Sequence, residues 1–259
     1  MTGGAGELQS PGLPAFETDL FVPRYRPSSS GPWELSVTDF CIAPGYWSGP
    51  MLVRNMAVLF RGHDSWMSVT PLEVESQQIG IRLARGHVLI FGLGMGWAAT
   101  AAAAMPAVRA VTVVEQDQDV LALHRELEIF GQLPDSTRAK LRVVEGDAYR
   151  FRPEQPVDLL MPDIWLPLVS DNRLDEVRRM QANVSAGGIY FWGQELEIAR
   201  HAVAAGCAMD DAGIAATVAE TGLPLIGLNF PDYAGKLQAA ARRWMRGRWL
   251  AGSEPPWSG

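Results

Sequence analysis

From His87 onward, short apolar runs alternate with longer amphipathic or alanine-rich stretches. The runs are HVLIFG, AVTVVE, KLRVVEG, VDLLMPD and GGIYFWG. Between them lie WAATAAAAM, a helical pattern from Gln118 to Phe130 that Gly131 can cap, a short helix after residues 145–148, and SDNRLDEVRRMQANV. Apolar runs of this length bounded by turn residues read as strands buried on both faces, and the spacers are long enough for crossover helices. Five such strands predict parallel pairing in a doubly wound α/β sheet, with any ligand at the strands' carboxyl ends.

The pattern differs upstream. Residues 1–32 are rich in Gly, Pro and Ser and predict a flexible segment without chemistry. WELSVTDFCIA and MLVRNMAVLFRG, separated by the turn-rich APGYWSGP, predict a small β appendage over 33–69. Thr70-Pro71-Leu72-Glu73 has the form of a capping box with Pro at the first helical position, so a helix should run from Pro71 to about Ala84. It opens the main body, 70–259, a mostly parallel sheet of the Rossmann-like type. After Gly193 the pattern is mostly helical, with LPLIGLN as one further strand candidate.

Composition sharpens this picture. The chain has 259 residues, 47% hydrophobic and 20% charged, enough apolar material for a sizeable core. A net charge of −7 argues against a protein that grips a phosphate backbone over a broad surface. Cys41 and Cys207 stand far apart without ligand spacing, and His63, His87, His124 and His201 are scattered, so neither a disulfide scaffold, a metal site nor a Ser-His-Asp arrangement is expected. No stretch approaches the roughly 18 apolar residues of a membrane span, and the N-terminal residues lack a basic, then apolar, leader pattern. The expectation is a soluble cytoplasmic protein with a small-molecule substrate, no nucleic-acid or membrane partner and, at most, a second copy of itself.

The most informative segment is VLIFGLGMG, a strand running into Gly92, Gly94 and Gly96 and then into a helix. Glycines let a backbone turn tightly and approach a ligand, and a tight strand-to-helix turn alone would also explain them. The next strand ends in Glu115, about twenty residues on, where a carboxylate can accept ribose hydroxyls. The third leads to Glu145-Gly146-Asp147-Ala148, where Asp147 can accept an adenine amino group beside Ala148. The fourth ends in Asp163, a candidate base whose pKa burial would raise; a helix cap is the plainer alternative.

GLGMG, VTVVEQD, VVEGDA and VDLLMPD together resemble the class I S-adenosylmethionine-dependent methyltransferase superfamily, over roughly residues 50–195. The β appendage ahead of a helix and the glycine loop, with Asp163, looks most like its spermidine-synthase-like branch. The resemblance implies S-adenosyl-L-methionine as cofactor, held by Gly92, Gly94, Gly96, Glu115, Asp147 and Ala148, and methyl transfer to an unidentified small molecule with Asp163 as the catalytic residue. It also puts the helix carrying Glu73 and Gln77 over cofactor and acceptor. Aminopropyltransferases carry acids where this chain has Met95 and Leu166, which removes carboxylates that a polyamine needs. Aminopropyl transfer, a non-catalytic cofactor-binding protein and an NAD(P)-dependent oxidoreductase, through Gly94-x-Gly96-x-x-Ala99, are the other readings.

Further pocket candidates are Trp165, two residues past Asp163, and Tyr46, which with Trp47 in PGYWSG would cover the pocket as a lid; ordinary packing accounts for either. KLQAAARRWMRGRWL reads as an amphipathic helix with its Leu/Trp stripe packed on the domain and its arginines solvated. Methyltransferases of this class usually finish their sheet with an antiparallel hairpin. Here QELEIARHAVAAG and DDAGIAATVAETG favour helices instead, and a shortened sheet.

Overall fold

The computed structural model describes residues 12–255 and residue 257. Strands β1 (Ser28–Ser30), β2 (Trp33–Ala43), β3 (Met51–Arg61) and β4 (Asp64–Ser68) form an antiparallel sheet in chain order. Helix α1 (Pro71–Leu83) leads into β5 (Gly86–Phe91), α2 (Trp97–Ala104), β6 (Val108–Glu115), α3 (Gln118–Leu127), the single-turn α4 (Asp135–Arg138), β7 (Leu141–Glu145) and β8 (Leu159–Pro162). Then follow α5 (Arg173–Val184), β9 (Gly188–Ile189), α6 (Gln194–Ala204), α7 (Asp211–Thr221) and α8 (Tyr233–Trp244). The second sheet is wholly parallel, ordered β7-β6-β5-β8-β9, so the chain starts in the middle, winds out one way and returns to wind out the other. That reversal beside β5 is the topological switch point of a doubly wound Rossmann-like fold. No helix among the described residues is long and apolar enough to cross a membrane.

The local expectations meet the structure unevenly. The C-terminal region is helical, and LPLIGLN contributes only an isolated parallel bridge from Leu225 to Ile189. The capping box does not form. Thr70 makes no side-chain cap bond, because its hydroxyl pairs with Ser68 and Glu73 faces inward, 5% exposed. Gly131 does not cap α3 either; Glu128, in the left-handed region at φ 49°, ends it, and a 3-10 turn follows. The helix expected after Ala148 is a single turn in which Arg150 N and Phe151 N both donate to Asp147 O.

The first 11 residues of the predicted flexible segment lie outside the described ones. Residues 12–32 are tied down along the body. Phe16 N donates to Leu52 O at 2.8 Å, Tyr25 Oη to Met95 O at 3.3 Å, and Arg26 pairs with Glu126 at 3.2 Å. Polar composition there supplies long-range hydrogen-bonding partners, which a compositional reading cannot foresee.

Helix α6 reads as amphipathic in sequence, yet Gln194 to Arg200 are all buried, charged residues included. Its acids are matched by fixed donors. Ser170 N donates to Glu197 Oε1 at 2.9 Å, and Arg200 reaches Asp171 at 2.6 Å and Glu197 at 3.5 Å. Glu195 meets hydroxyls from three separate elements: Tyr190 Oη donates at 2.9 Å, Tyr46 Oη at 3.3 Å, and Tyr233 lies alongside. Neutral donors do not cancel a buried charge, so desolvation raises the Glu195 pKa from 4.5 to about 7.

This raised pKa has a measurable consequence. Between pH 4.5 and about 7 the unfolded chain has released the Glu195 proton and the folded one retains it, so the contribution to stability falls as pH rises, by at most about 1.4 kcal/mol per unit. Glu195→Gln has no such proton. Urea unfolding should show the variant gaining on the wild type across that window and levelling off above it; a difference independent of pH would contradict the assignment.

Candidate active site

The carboxyl ends of β5, β6, β7 and β8 open into one cavity of about 470 Å³. At β5 the chain leaves through Gly92, Gly94 and Gly96, at φ 95°, 49° and 76°, a region costly for other residues. A Cβ on Gly92 would overlap the Asp163 carbonyl oxygen, and one on Gly94 would overlap the Met67 sulfur. Gly92 and Gly94 line the cavity, whereas Gly96 serves as the N-cap of α2. Part of the glycine requirement therefore comes from the protein's own packing.

Glu115, ending β6, accepts Leu93 N at 2.9 Å on Oε2, and Gln116 N and Asp117 N at 2.8 Å each on Oε1. Three backbone donors thus fix the carboxylate on the cavity wall and tie the glycine loop to β6. Past β7, Asp147 and Ala148 line the opposite side. Asp147 Oδ1 holds its own turn through Tyr149 N at 2.8 Å, and Oδ2 faces Arg150 at 3.5 Å.

The antiparallel sheet closes this end of the cavity, a contribution the sequence pattern did not reveal. Trp33 pairs in register with Arg61, and β4 brings Trp66 to both; the indoles meet edge to face at 5.3 Å, with the Arg61 guanidinium over Trp33 at 5.3 Å and Trp66 at 5.9 Å. Trp33 Nε1 donates to Asp117 Oδ2 at 3.0 Å, and Met95 N donates to the Met67 sulfur at 3.1 Å. These bonds bring Trp33, Arg61, Trp66 and Met67 into the lining. The only sequence signal was aromatic residues near the ends of two predicted strands.

At the other end lies an acidic pair. Asp163 follows β8 directly, Asp163 N donates to Phe91 O at 2.8 Å, and its carboxylate accepts Gln77 Nε2 at 2.7 Å. Burial raises its pKa from 3.8 to about 7, opposed by the charge of Arg173 and the Gln77 bond. Glu73, one turn before Gln77, also lines the cavity, and burial together with Asp163 holds its pKa well above 4.5. Gln77 does not line the cavity but touches Asp163 from behind.

Trp165 lines the wall beside Asp163 with the Arg173 guanidinium stacked over it at 3.9 Å. Arg173 is fully buried and donates to Pro167 O at 2.7 Å, Trp192 O at 3.2 Å and Leu168 O at 3.4 Å, so it pins residues 164–172. Tyr46 is corrected: it is no lid, being wholly buried against Glu195, away from the cavity, where Trp244 Nε1 donates to Tyr46 O at 2.9 Å. Its loop is held by Glu75, which accepts Trp47 N and Ser48 N, and so packs on α1 and α8.

No protein-family model and no curated protein matches the chain. Among solved structures it is similar to the glycopeptide N-methyltransferase MtfA complexed with S-adenosyl-L-methionine, 22% identical over 42% of this chain and 43% of that one, TM-score 0.34. The DhpI-SAM-HEP complex is 18% identical over 46% and 52%, TM-score 0.34, and the 23S rRNA methyltransferase ErmE 19% identical over 43% and 42%, TM-score 0.32. The chain thus spans about half or less of each of these proteins.

Arg173→Met would keep most of the bulk on Trp165 and remove every donor to the three carbonyls. Leaving buried carbonyls unpaired should cost about 2 kcal/mol or more, and amides of residues 164–172 should lose hydrogen-exchange protection while those around Glu115 keep theirs. Unchanged protection in that loop would show that Arg173 does not hold it.

Proposed function

We propose that the chain binds S-adenosyl-L-methionine in this cavity and transfers its methyl group to a small-molecule acceptor. One observation carries the reading: the glycine loop, Glu115, Asp147-Ala148 and Asp163 follow four adjacent parallel strands and border a single cavity. Its volume lies within the range of small-molecule sites. When bound, the cofactor supplies an electrophilic methyl on a sulfonium sulfur; this chain supplies position and a proton acceptor.

In this reading Glu115, already held by three amides, accepts a ribose hydroxyl with the remaining lone pair of Oε2. The Oδ2 atom of Asp147 takes the adenine amino group beside Ala148. Gly92 and Gly94 leave room along the loop for the chain that carries the sulfur. Gln77 orients the Asp163 carboxylate, which accepts a proton from the acceptor once it is ionised, and Trp165 walls that end. Met95 is buried and Leu166 is 37% exposed, and neither lines the cavity, so their positions offer nothing to a polyamine. An oxidoreductase would leave Asp147 and Asp163 without a role.

Two variants test the reading. Glu115→Gln should weaken S-adenosylhomocysteine binding about tenfold, the scale of one charged hydrogen bond, without unfolding the protein; unchanged affinity would sink the cofactor assignment. Asp163→Asn should keep that affinity within about twofold and lower turnover about 10²-fold. Because the basic form of Asp163 predominates above its pKa of about 7, wild-type kcat/KM should climb with pH up to that value and then level. A fully active Asp163→Asn protein would reduce Asp163 to a structural acceptor.

A further inference from the structure

Glu73 is the one carboxyl of this cavity for which the protein provides nothing. It is 5% exposed and faces the cavity, yet among the described residues no hydrogen bond or ion pair reaches its carboxyl. Two donors nearby are committed elsewhere. Gln77 donates to Asp163, and Arg173, the nearest cation to Asp163, spends its terminal nitrogens on backbone carbonyls. With the rest of the side chain buried, a donor to this carboxyl can come only from the cavity side.

The missing donor must also satisfy Asp163. The two acids repel each other when both are ionised, and burial adds to the penalty. A hydroxyl has one proton to give and no charge to offset that repulsion. A carboxylate or phosphate would add a third negative group. An ammonium carries several donors and a full positive charge, so among these groups it alone can bond both acids and offset the charge of the pair.

Resting on the methyl-transfer reading, we propose that Glu73 recognises the acceptor and that the acceptor is an amine, held as an ammonium between Glu73 and Asp163. Glu73 keeps the nitrogen in place. One N–H bond breaks as its proton passes to an Asp163 carboxylate oxygen, forming an O–H bond and leaving the electron pair on nitrogen, the form that can take a methyl group. Gln77 holds the receiving carboxylate during that transfer.

Three compounds of one shape and different charge test this directly: benzylamine, benzyl alcohol and benzoate, titrated calorimetrically at neutral pH into the whole protein, with and without S-adenosylhomocysteine. Benzylamine should bind at least tenfold more tightly than the other two, and Glu73→Gln should abolish the preference while S-adenosylhomocysteine still binds. Equal affinities, tighter benzoate, or no benzylamine binding at about 10 mM would overturn the proposal. If S-adenosylhomocysteine fails to bind, the methyl-transfer reading falls, and the charge preference of the unloaded protein still decides the role of Glu73.

Discussion

The central strand leaves the sheet locked on both sides: Gly92 N donates to Val114 O at 2.9 Å, and Phe91 O accepts Asp163 N at 2.8 Å. Those two bonds continue the parallel ladders of β5 with β6 and with β8 one step past the last paired residues. They set Glu115 and Asp163 on either side of the glycine loop, and they press the Asp163 carbonyl so close to Gly92 that a side chain there is excluded. The cavity opens here because the connections wind out from β5 in opposite directions across the sheet. A single Cβ at Gly92 would therefore disturb both walls at once.

The electrostatics of the interior follow from how each buried acid is answered. Glu115 and Glu75 meet backbone amides, and Glu197 meets an amide and a guanidinium. Glu195 meets neutral tyrosine hydroxyls and keeps its proton to about pH 7. Asp163 has one amide donor, and Glu73 has none. The two least answered carboxyls, Asp163 and Glu73, both line the cavity.

Much of the parallel sheet was legible in the sequence because apolar runs buried on both faces, such as Leu89 to Phe91 and Leu159 to Met161, carry an unambiguous pattern. Glu115, Asp147 and Asp163 were singled out by their position after those runs, and all three line the cavity. The closing wall was not, because it depends on the pairing of Trp33 with Arg61 across residues far apart in the chain, and register is set by tertiary packing. Glu73 was read both as a capping-box carboxylate and as a pocket candidate, and only the second agrees with its place on the cavity wall. Helix-start statistics favour a cap, but the interior faces this turn and offers Glu73 a cavity in place of solvent. Tyr46 was misjudged, since turn residues usually lie at the surface and this loop is buried under α8.

The account rests on the claim that one cavity takes an adenosyl sulfur compound, and calorimetry on the wild-type protein tests it most directly. S-adenosylmethionine and S-adenosylhomocysteine should bind with one-to-one stoichiometry, at least tenfold more tightly than decarboxylated S-adenosylmethionine or NADH. Preferred binding of NADH, or no binding of either adenosyl amino acid, would contradict it.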